Sequence, residues 1–66
     1  MIDGRDVFTG AMLVIDKHGE DAGSVAAQRA EQMLEAGDLD GTMVWRQIVT
    51  AIEELQRGRR DGEGLN

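Results

Sequence analysis

Trp45, Ile48, Ile52 and Leu55 recur at steps of three, four and three, which places the only tryptophan and three large aliphatics on one stripe of a helix. Directly before them stands Gly37-Asp38-Leu39-Asp40-Gly41, with a glycine to close one helix and acids to open the next. A stripe this apolar needs other helices to cover it. Asp38 is the expected N-cap of this helix, and Asp40 falls in its first turn, where the helix dipole favours negative charge.

The segment before it supplies two candidates. Between Asp3 and His18, the residues Val7, Phe8, Ala11, Met12, Val14 and Ile15 contain the i, i+4, i+7 series Phe8, Met12, Ile15, which predicts a first helix with Asp3 as N-cap and Gly19 as its left-handed stop. Gly10 inside it costs about 1 kcal/mol against alanine and signals a close helix contact or a late start near Thr9. A second helix runs from Asp21 or Ala22 to Ala36, with Ala22, Ala26, Ala30, Met33 and Leu34 on its inner face. Small residues permit close approach, so this helix is expected between the other two. Glu31 and Glu35, on its outer face, are a repelling i, i+4 pair.

The expectation is therefore all-α: a small three-helix bundle with boundaries near 4–18, 21–36 and 39–57, forming one domain over 1–57. Its expected core is Phe8, Met12, Ile15, Ala26, Ala30, Met33, Trp45, Ile48, Ile52 and Leu55. Residues 58–66 carry three glycines and no periodicity, and are expected to be a disordered tail. Zero prolines and two aromatic rings suit helices far better than strands.

At 66 residues the chain buries only about 60% of its unfolded surface, so its core is marginal. Zero cysteines leave self-association or close helix packing as the reinforcement. Leu13, Val14, Val44 and Val49 exceed what three short helices cover among themselves and predict a homodimer. The net charge of −6 opposes direct contact with nucleic-acid phosphates and favours a protein partner with a basic surface. No apolar run reaches the roughly 18 residues of a membrane span and no signal peptide is evident, so a cytoplasmic protein without a membrane partner is expected.

No constellation demands a chemistry. Placing Gly41 at position six of a calcium loop puts Ala36 at position one and Gln47 at position twelve, so both essential ligands fail and capping accounts for the acids. His18 with Asp16, Glu20 and Asp21 is the densest cluster of polar groups, but one imidazole beside turn carboxylates at a helix end reads as capping. Ser24, the only serine, has no neighbouring base or glycine elbow, and the paired glycines lack the preceding strand that nucleotide loops require. A non-enzyme with no cofactor and no metal is expected. Trp45 reads as the central packing residue, and Arg57, Arg59 and Arg60 as solvated.

His18-Gly19-Glu20-Asp21-Ala22, Arg29-Ala30, Gly37-Asp38, Gly41 and Trp45-Arg46-Gln47-Ile48, with Ala51-Ile52 and Leu55 following, resemble a family of short uncharacterised bacterial proteins over roughly residues 8 to 56. The resemblance implies the same three helices and carries no activity. In size and charge alone, the chain is also similar to phage-encoded inhibitors, anti-CRISPR proteins among them.

Two functional expectations stand side by side. One is a nucleic-acid mimic or inhibitor that presents Asp16, Glu20, Asp21, Glu31 and Glu35 to a basic site. The other is a structural or regulatory homo-oligomer whose charge only keeps it dissolved. Residues 19–37 hold four carboxylates against Arg29, a net −3, which is the largest share of any segment and favours the first.

Overall fold

The computed structural model describes the backbone of residues 4–65 and the side chains of residues 6–57. Its elements are α1 (Gly4–His18), a single 3₁₀ turn (Gly19–Asp21), α2 (Ala22–Glu35) and α3 (Leu39–Leu65). No strand occurs among the described residues, and the class is all-α. Asp3, the expected cap of α1, lies outside them.

The joint between α2 and α3 is built from two residues. Gly37 takes a φ of +81°, so the chain reverses without the steric cost a β-carbon would bring. Its amide then donates to the Leu34 carbonyl at 3.0 Å, and the Asp38 amide donates to the Met33 carbonyl at 2.9 Å. These are the paired bonds of a Schellman stop, and they satisfy carbonyls that the end of α2 would otherwise orphan. Asp38 then opens α3: its Oδ1 accepts the Gly41 amide at 2.8 Å, and its own carbonyl accepts both the Thr42 amide at 3.0 Å and the Thr42 hydroxyl at 2.8 Å. The capping expected of Asp38 is what the structure contains. Gly41 is required by the same packing, since a β-carbon there would stand 2.7 Å from Asp38 Oδ2 and 3.0 Å from Met33 Sδ.

The joint between α1 and α2 repeats the glycine and omits the carboxylate. Gly19 has a φ of +58° and ends α1 as expected. Beyond it, the 3₁₀ turn runs directly into α2, with the Ala22 amide on the Gly19 carbonyl. Asp21 makes no side-chain cap bond, contrary to the capping duty expected of it. The physical reason is continuity: Asp21 already has helical-region backbone angles and the Ala22 amide is taken by the turn, so the chain runs from one helix into the next without the extended N-cap geometry from which a carboxylate caps.

Helix α3, and not α2, is the element on which both others mainly pack. The fully buried residues are Ala11, Ala22, Ala26 and Ile52, with Ile48 nearly so, and Val7, Val14, Ile15, Val44, Trp45, Val49, Ala51 and Leu55 pack around them. Ile52 is the largest fully buried side chain, which gives it the central place expected for Trp45; the tryptophan is half-buried against the cluster. The alanines of α2 do bring that helix close, but against the large side chains of α3.

Two expected core residues are misplaced. Phe8 is 46% exposed and Met12 54% exposed, while Ala11 faces inward. The cause is Gly10, whose hypothetical β-carbon would lie 3.3 Å from Ile48 Cδ1. Helix α1 approaches α3 across its small Gly10-Ala11 face, and this rotation carries Phe8 and Met12 outward. The close-contact explanation of Gly10 is thus the one realised. Leu34, expected on the inner face of α2, is also exposed: it continues the Ala22-Ala26-Ala30 row, but that row turns about 40° at each i+4 step and Leu34 ends it on the last turn of the helix.

The end of α3 also differs from expectation. Its helical backbone passes residue 57 and continues to Leu65. Glycine inside a helix costs only about 1 kcal/mol and no proline intervenes, so composition alone does not stop it. The side chains from Gly58 onward and all of Asn66 lie outside the described residues, and the disordered tail expected there falls on that segment.

Candidate functional site

The five acidic residues expected to bind a partner are all exposed, and they form two groups. Asp16, Glu20 and Asp21 surround the α1–α2 joint, while Glu31 and Glu35 lie on the last turns of α2. Ten residues of helix separate Asp21 from Glu31, about 15 Å at 1.5 Å per residue. That exceeds the screening length of about 8 Å at physiological salt, so the two groups act as separate fields.

Glu31 and Glu35 fall on the side of α2 opposite Ala22, Ala26 and Ala30, which explains their exposure. None of the five carboxylates has a hydrogen-bond or ion-pair partner among the described residues. One cation stands nearby: Arg46 of α3 and Glu31 line the same open groove of about 410 Å³, with Ala27, Ala30, Leu34, Val49 and Thr50. The acidic face therefore has a basic rim on its α3 side. No group of three or more His, Asp or Glu among the described residues is arranged to hold a metal ion.

The four residues expected to mediate self-association are not on one face. Leu13 is 64% exposed on the outer side of α1, whereas Val14, Val44 and Val49 are half-buried and pack against the core cluster. Leu13 instead borders a groove of about 700 Å³ between α1 and α3, lined also by Thr9, Met12, Ile15, Asp16, Gly19 and Leu55. Among the described residues, the large apolar side chains left outside are Phe8, Met12 and Leu13 on α1, and Leu34, Leu39 and Met43 around the α2–α3 joint. The signal that would have located them is the Gly10-Ala11 pair, which marks the packing side of α1. Among the described residues no helix is long and apolar enough to cross a membrane. Compared with protein-family models, with curated proteins and with solved structures, the chain matches none of them.

Proposed function

We propose that the chain is a non-enzymatic protein-binding module, a three-helix bundle that acts in the cytoplasm as a homodimer. In this reading its acidic surface occupies a basic, nucleic-acid-binding site of a partner protein, as an anti-CRISPR-type inhibitor would. The observation that carries it is the outer face of α2. Glu31 and Glu35 repel one another at i, i+4 and have no partner among the described residues, so folding gains nothing from them and a basic partner would. Asp21 adds weight, because its carboxylate is free of the capping duty that would otherwise account for it. Asp16 and Glu20 beside it extend the field around the first joint.

The test is the double change Glu31→Gln and Glu35→Gln. Helicity by circular dichroism should be unchanged and stability should rise by a few tenths of a kcal/mol as the repulsion is relieved. Capture of a basic protein by immobilised chain should weaken, and its salt dependence should flatten. Equal capture by parent and double variant at low and high salt would remove the acidic-face reading. A structural or regulatory homo-oligomer would then stand alone, a reading favoured by the exposed apolar residues of α1.

A further inference from the structure

The chain has four methionines, and three of them lie among the residues whose side chains are described. Met12 is 54% exposed and Met43 60% exposed, whereas Met33 is half-buried in the joint between α2 and α3. Its thioether lies against Gly41: a β-carbon on that glycine would stand 3.0 Å from Met33 Sδ and 2.7 Å from Asp38 Oδ2. Sulfur and carboxylate thus converge on one point of the first turn of α3. The backbone joins the same residues, since the Asp38 amide donates to the Met33 carbonyl at 2.9 Å. An apolar sulfur suits this place because the donors around it are already engaged. The Gly41 amide is bonded to Asp38 Oδ1, and the Thr42 amide and hydroxyl are bonded to the Asp38 carbonyl.

We infer that Met33 is a redox latch on this joint: a peroxide converts its thioether to the sulfoxide, and the cap of α3 loosens. In that step a sulfur lone pair attacks one oxygen of hydrogen peroxide, the O–O bond breaks, and the departing hydroxide takes the proton of the transferred oxygen to leave as water. Sulfur is oxidised by two electrons and the peroxide is reduced by two. The product is a polar side chain in place of a flexible apolar one. Its new oxygen only accepts hydrogen bonds, and it arrives beside a carboxylate that also only accepts. It therefore either takes the Gly41 amide from Asp38 or turns out to water and draws the side chain off Gly41. Each course weakens the joint. A sulfoxide at Met12 or Met43 meets water directly and disturbs no contact of this kind. Reductases return the sulfoxide to the thioether, so the latch is reversible. It is independent of the acidic face and of the homodimer.

Thermal melting of the full chain before and after treatment with hydrogen peroxide tests the latch, with mass spectrometry to score each methionine. Full oxidation of the parent should lower Tm by about 4–8 °C, the loss expected of one helix cap in a domain of this size. Met33→Leu conserves volume and removes the sulfur, so it should fold as the parent does. Its Tm should not respond to peroxide, although Met12 and Met43 are oxidised in it. Methionine sulfoxide reductases should restore the Tm of the oxidised parent. In Asp38→Ala, where the carboxylate cap is absent, oxidation should lower Tm by about half as much or less. An equal fall in the parent and in Met33→Leu would place the effect at the other methionines and overturn the latch. So would a parent whose Met33 stays reduced when Met12 and Met43 are fully oxidised, or one whose Met33 is oxidised with Tm unchanged. A fall in Asp38→Ala as large as in the parent would overturn the part assigned to the cap.

Discussion

The Gln56 side-chain amide donates to the Gly19 carbonyl at 3.0 Å, tying the body of α3 to the turn that separates α1 from α2. The acceptor belongs to the left-handed residue that stops α1, so one hydrogen bond fixes where the chain reverses relative to the helix that both neighbours pack on. Both groups are exposed, and water replaces the bond when it is lost. Gln56→Ala should therefore cost about 0.5–1 kcal/mol, not the larger penalty of an orphaned buried group. In a domain this small, that lowers Tm by a few degrees. Glu53→Ala, on an exposed position of the same helix, serves as the control; equal melting of the two variants would show that the tie contributes nothing.

The second joint makes a sharper prediction, because its two parts interfere. Asp38→Ala removes the acceptor of the Gly41 amide and should cost about 1 kcal/mol. Gly41→Ala forces a β-carbon to within 2.7 Å of the Asp38 carboxylate and should cost more, although alanine is the better helix former. With the carboxylate gone, most of that clash is gone too. The double variant should be less destabilised than the sum of the singles by at least about 0.5 kcal/mol, measured by urea denaturation. Strict additivity would mean that the cap and the glycine are unrelated.

This joint was legible in the sequence because it is local: glycine, acid and glycine carry out their duties within five residues. The apolar stripe of α3 was legible for a similar reason, since Ile48 and Ile52 are spaced for one face and that face is the one buried. Helix α1 was not, because its apolar residues form one wide arc, and periodicity cannot choose between the Phe8-Met12-Ile15 and the Val7-Ala11-Val14 parts of it. The choice belongs to Gly10 against Ile48, a contact between residues distant in the chain. Charge counted by segment likewise joined Asp21 to Glu31, and only the length of α2 sets them apart.

Two glycines inside helices should respond oppositely to alanine. Gly23, in the first turn of α2, has a helical φ and nothing within 4 Å of where a β-carbon would stand. Gly23→Ala should stabilise the fold by about 0.5–1 kcal/mol through helix propensity alone. Gly10→Ala gains the same propensity but presses on Ile48 Cδ1, and should come out at least about 0.5 kcal/mol less favourable than Gly23→Ala. Adding Ile48→Val, which deletes that methyl, should narrow the difference. If Gly10→Ala stabilises as much as Gly23→Ala in thermal melts, the close approach of α1 to α3 is wrong.

The rotation of α1 is tested most directly at two adjacent positions with opposite environments. Ala11 is fully buried in the cluster with Ala22, Ala26, Ile48 and Ile52, so Ala11→Leu adds three carbons where no space remains and should cost about 1–3 kcal/mol by overpacking. Met12 points the other way, and Met12→Gln should change the stability of the monomer by no more than about 0.5 kcal/mol. Both are to be measured at concentrations too low for self-association, where burial within one chain is the only effect. Were Met12→Gln the damaging change and Ala11→Leu the tolerated one, α1 would face α3 through Phe8, Met12 and Ile15.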